Sequence, residues 1–239
     1  MKRTPLDVGG FCYDQEDYVK LLPLTPKLEQ SHHEVYMVLE ELLVDKVPPK
    51  TKVWEDHNLK DCSARIITVK NKTHIGVRPA VVALNPFYHR FRQFAKQNTG
   101  QRSNPVHFFK GVLTHEYAHI VYRWLFDNDF FAQLRKTEEA ELYCRDDGMG
   151  GIVPNSCEEA FAFWFGDTFS GFNMPVELMA NGYSISHNSQ AIVDIYHKLQ
   201  KEKGTRGIAS VLDDMVATLL RIVPTAPFTK WDYTYDGPK

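Results

Sequence analysis

The chain has 239 residues, 43% of them hydrophobic, and 28 basic against 30 acidic side chains leave a formal charge of −2. That is enough apolar material to bury a full core, which excludes a disordered chain and fits one domain over 1–239 with residues 1–50 as a helical extension. No run of eighteen apolar residues exists and no apolar segment follows Lys2 and Arg3, so neither a membrane span nor a secretory leader is expected, and a soluble, cytoplasmic protein is.

In chain order, Asp14 to Leu22 reads as a short helix stopped by Pro23. A longer helix follows, with Thr25 as cap, Pro26 in its first turn and Leu28, Val35, Leu39, Leu42 and Leu43 on one face as far as Pro48 and Pro49. His32 and His33 are read as ordinary helix residues. Ala64 to Lys70 and Pro79 to Leu84 are rich in β-branched residues and are expected to pair as strands, the second offering an edge on which an extended substrate could lie. Phe87 to Gln97 is expected as a helix, and Pro105 opens another reaching about Leu125. Asp129 to Tyr143 is expected as a helix, CRDDGMGGIVPNS as a loop, EEAFAFWFGDTF as a buried aromatic helix, and Ser189 to Lys203 and Gly207 to Ile222 as two closing helices.

Two distributions bear on partners. The cysteines Cys12, Cys62, Cys144 and Cys157 are scattered with no CxxC pair, which points away from a structural zinc knuckle and requires no disulfide. From Cys62 to His115 there is no acid, but there are Arg65, Lys70, Lys72, Arg78, Arg90, Arg92, Lys96, Arg102 and Lys110. Such a block attracts polyanions when it forms one surface. Spread over several elements and without a nucleic-acid motif, it is better read as a solvated face balanced by acidic neighbours. A peptide or protein substrate is the favoured partner and nucleic acid the less favoured.

The chemistry is concentrated in GVLTHEYAHIVYRWL. Residues four apart share one face of a helix, so His115 and His119 can grip one metal ion while Glu116, about 100° round, reaches a water beside it. Neutral imidazole suits zinc, a catalytic zinc takes three protein ligands and a water, and a carboxylate near that water can move its proton. Metzincins place Gly at 122 and His at 125; Tyr122 and Leu125 exclude that class.

With Glu159, Ala160, Phe161 and Ala162 in a later helix, the sequence resembles the gluzincin branch of the zincin metallopeptidases, closest to the lethal-factor-like and Mlc titration factor-like groups. The resemblance covers roughly residues 79–180. It implies an α+β zincin-like fold, a small sheet on the active-site helix with a second, mainly helical layer, and zinc-dependent peptide hydrolysis. His115, His119 and Glu159 would hold one Zn²⁺ and Glu116 would act as general base. Glu158 is the alternative ligand, and Ser156 with Glu159 also has capping-box spacing, which would turn Glu159 to the backbone. Where such enzymes carry a second acid that orients a histidine, Phe163 stands here, leaving Asp167 as the nearest acid. Tyr143, Tyr183 and His187 are the candidates to stabilise the oxyanion. Phe161, Phe163, Trp164, Phe165 and Phe169 are read as core. Two other functions stay open: a nucleic-acid-associated SprT-like peptidase, and a zinc-binding regulator without catalysis.

Overall fold

The computed structural model describes residues 11–43, 47–60, 62–70, 72–84, 105–125, 144–146, 152–154, 156–170 and 189–203, with single positions at 136, 217 and 221. It is a mixed α+β structure. Strands β1 (Phe11–Cys12), β2 (Leu21–Pro23), β3 (Lys52–Asp56), β4 (Ala64–Val69) and β5 (Lys72–Val77) form one sheet in the order β1-β4-β5-β3-β2. The β1–β4 and β3–β5 pairs are parallel, and the β4–β5 and β2–β3 pairs antiparallel.

Residues 11–43 supply two strands of the sheet and one helix of the core. Asp14 caps a helix of only four residues, α1 (Gln15–Tyr18), through a capping box with Asp17. The chain then leaves the expected helix, because Leu21 to Pro23 pairs with Trp54 to Asp56 and the residue before a proline favours extended backbone. Tyr13 locks this segment to the sheet: its hydroxyl donates to Asp56 Oδ2 at 2.6 Å and accepts from Arg65 Nη2 at 2.6 Å. Burial, reinforced by Asp56, pushes the Tyr13 phenol up to about 12. Gly76 is required below this network, since a Cβ there would lie 2.5 Å from Asp56 Oδ2.

Helix α2 (Pro26–Leu43) begins as expected, with the Thr25 carbonyl accepting from the Leu28 and Glu29 amides. Its buried face is Leu28, Ser31, His32, Val35, Tyr36, Leu39 and Leu43; the side chain of Leu42 lies outside the described set. The strand expected at Pro79–Leu84 is instead helix α3 (Pro79–Val82). Pro79 fixes a helical φ at the first position, and one turn sends both Val81 and Val82 into the core, where an alternating strand would bury only one. The partner of β4 is therefore β5, which alternates Thr73, Ile75 and Val77 on one face, and Pro79–Leu84 offers no strand edge for a substrate. Lys70, at φ 51°, makes the tight turn between them.

Helix α4 (Pro105–Leu125) matches its expected span and is buried on all sides from Gly111 to Tyr122. The glycine-rich stretch expected as a loop contains two short strands, β6 (Cys144–Asp146) paired antiparallel with β7 (Ile152–Pro154). Helix α5 (Ser156–Ser170) packs mainly on α4, and α6 (Ser189–Lys203) packs on α5. The expected helix at 87–97 lies outside the described residues, as do all of 129–143 but residue 136 and most of 207–222. One core runs from Val53, Ile66, Ile75 and Val77 of the sheet through α2, α3 and α4 to α5 and α6. Phe161, Phe163, Trp164 and Phe165 are fully buried in it, as expected; the side chain of Phe169 is outside the described set. None of the described helices is long and apolar enough to cross a membrane.

Candidate metal centre

The helical period puts His115 and His119 on one side of α4, and that side faces the first turn of α5. Their Nε2 atoms are 3.1 Å apart. The Glu159 carboxylate completes a triangle, with Oε2 3.7 Å from His115 Nε2 and Oε1 3.6 Å from His119 Nε2. Ligands about 2.0–2.1 Å from a tetrahedral zinc lie roughly 3.3 Å from one another, so the three side chains match that requirement within a few tenths of an ångström. Among the described residues this is the one group of His, Cys, Asp and Glu side chains able to hold a metal ion.

The two glutamates at 158 and 159 take different places. Consecutive helix residues point about 100° apart, so both cannot reach the same point. Glu158 meets the other side of the imidazole: its Oε1 lies 2.7 Å from His119 Nδ1 and also accepts from Arg123 Nε at 2.8 Å. A carboxylate on Nδ1 favours the proton there and leaves the Nε2 lone pair directed at the triangle. Sequence reasoning placed Glu158 as an alternative ligand and looked to Asp167 for the orienting acid; the side chain of Asp167 is outside the described set. Arg123 was missed, although it continues the four-residue stride 115, 119, 123 along one face. On His115, the Phe163 ring, at the position where the resemblance implies an acid, packs at 4.8 Å between centroids, and the Ala162 backbone also acts on the imidazole.

Electrostatics separates the two histidines. Burial, with the field of His119, holds His115 well below the usual imidazole range, so it is a neutral donor. Burial also pulls on His119, but Glu159, Glu158 and Glu116 outweigh it and raise the imidazole to about 9. The site thus favours positive charge at His119 Nε2, whether a proton or a cation brings it. Glu158 is held below the usual carboxylate range: desolvation opposes ionisation, and Arg123 and His119 overcome it. Glu116 goes the other way, to about 7, first through burial and then through Glu159, against the opposing pull of His119 and Arg123.

On the opposite side of α4, the Tyr117 hydroxyl shares a 2.7 Å hydrogen bond with His32 Nε2 and stands 3.3 Å from both the amide nitrogen and the carbonyl oxygen of Thr51. His32 is therefore a buried structural partner rather than a plain helix residue, and burial holds it down to about 4. Of the basic block, Arg65 is engaged with Tyr13 and Lys110 with Glu34, each at 2.6 Å. Arg90, Arg92, Lys96 and Arg102, and the oxyanion candidates Tyr143, Tyr183 and His187, lie outside the described residues.

Comparison with protein-family models, with curated protein sequences and with solved structures finds no match for this chain.

Proposed function

We propose that the chain is a zinc-dependent peptidase of the zincin kind, in which His115, His119 and Glu159 hold the ion and Glu116 is the general base. The observation that carries this reading is the buried His–His–Glu triangle with an ionisable carboxylate on the same helical turn. Two imidazoles and one carboxylate at this spacing suit zinc, whereas magnesium and calcium prefer oxygen donors throughout. When bound, such an ion supplies Lewis acidity to a carbonyl and lowers the pKa of a water beside it. Burial raises the Glu116 carboxylate to about 7, a basicity with which it would accept a proton at the site and release it again near neutral pH. The Glu158 carboxylate at His119 Nδ1 and the Phe163 ring on His115 support that arrangement.

Elemental analysis of the purified protein tests the ligand set: one zinc per chain is expected, and none in His119→Ala. Hydrolysis of a fluorogenic peptide, lost in Glu116→Gln while zinc is retained, tests the chemistry. No zinc bound at saturating concentration overturns the reading. Unchanged function in Glu116→Gln with zinc retained moves it to a non-catalytic zinc-binding regulator. The nucleic-acid-linked reading is weaker, because Arg65 and Lys110 are committed to protein partners.

A further inference from the structure

We infer that Arg123 is a positioning residue for the metal: acting through Glu158, it fixes His119 in the tautomer and orientation that present Nε2 to the ion. The inference rests on the metal-centre reading above and adds a residue that touches none of the three ligands by hydrogen bond.

Two donors converge on a single atom. Glu158 Oε1 accepts from Arg123 Nε at 2.8 Å and lies 2.7 Å from His119 Nδ1, while Oε2 is buried with no hydrogen-bond partner among the described residues. The carboxylate is thus held through one oxygen, and one of its two anchors is Arg123. Glu158 is 1% exposed, so a loosened carboxylate cannot turn to water for compensation. Removing Arg123 frees the Glu158 rotamer and, with it, the ring of His119. Outer partners of this kind commonly set metal affinity by about 10–100-fold. The spacing fits the role: Arg123 is one turn beyond His119 on α4, and Glu158 immediately precedes Glu159 on α5. One helix pair therefore supplies both the ligands and the clamp that aims them.

The competing role is a staple that merely joins α4 to α5. A double-mutant cycle on zinc affinity separates the two, using the full chain and a chromophoric chelator as competitor for zinc. Arg123→Met and Glu158→Gln are each expected to weaken zinc binding by about 10–100-fold. Their combination should lose no more than Glu158→Gln alone, because Arg123 reaches the zinc ligands through that carboxylate, and Arg123→Lys should recover part of the loss. In the zinc-loaded protein, the His119 Nδ1–H resonance should shift in Arg123→Met. Should Arg123→Met fail to fold, Arg123→Gln is read the same way. Parent-like zinc affinity in folded Arg123→Met or Arg123→Gln overturns the inference while leaving the metal centre standing, and so does a double variant that loses the product of the two single effects. A parent chain that binds no zinc overturns both.

Discussion

Helix α4 carries two polar clusters on opposite faces, and their difference separates a site from a brace. His115 and His119 look toward α5; Tyr117, about 200° round the helix from each, looks toward α2. Both faces are buried to a similar degree. The Tyr117 face resolves its burial by staying neutral: the hydroxyl joins His32 Nε2 to the main chain of Thr51, and His32 is held down to about 4. The His119 face gathers Glu116, Glu158 and Glu159 around two imidazoles and drives those two imidazoles in opposite directions, with His115 held well below the usual range and His119 up to about 9. A neutral network gains little from a bound cation, whereas a cluster rich in carboxylates does. Burial alone therefore does not single out a candidate site; unbalanced buried charge does.

Four measurements break or sharpen this contrast. The largest effect is expected on the charged face: Glu116→Gln should lower kcat/KM for a peptide substrate by about 10²–10⁴-fold with zinc content unchanged. The neutral face should behave in the opposite way. Tyr117→Phe leaves His32 Nε2 and the Thr51 amide without their partner, and urea titration should show a loss of about 1–3 kcal/mol with zinc stoichiometry intact. A similar effect should appear against pH. The folded-state pKa of His32 is depressed from 6.5 to about 4, so its contribution is fully present above pH 6.5 and is lost as pH falls toward 4. Across that window urea midpoints should fall by the equivalent of roughly 2–3 kcal/mol, and His32→Gln should flatten the slope. The smallest effect belongs to the exposed Glu34–Lys110 pair: Glu34→Ala should leave the thermal midpoint unchanged, since screened surface pairs contribute little. A Tyr117→Phe variant that released zinc would erase the distinction between the faces.

Local spacing and tertiary packing can be told apart residue by residue. The i, i+4 histidines, the span of α4, Pro26 at the start of α2 and the aromatic stripe of α5 all follow from periodicity and backbone chemistry acting within a few residues, and each is readable along the chain. The short elements behave differently. Val81 and Val82 have strand propensity, yet they sit in a helical turn because that conformation buries both. Leu21 to Pro23 becomes a strand because β3 lies alongside it.

The sequence by itself determined that two imidazoles and a carboxylate share successive turns of one buried helix, because 3.6 residues per turn leaves no other arrangement. Only the tertiary structure decided which of two adjacent glutamates joins them, and that Arg123 stands behind the other. Residues 158 and 159 are chemically identical, and their roles differ solely in the angle at which α5 meets α4.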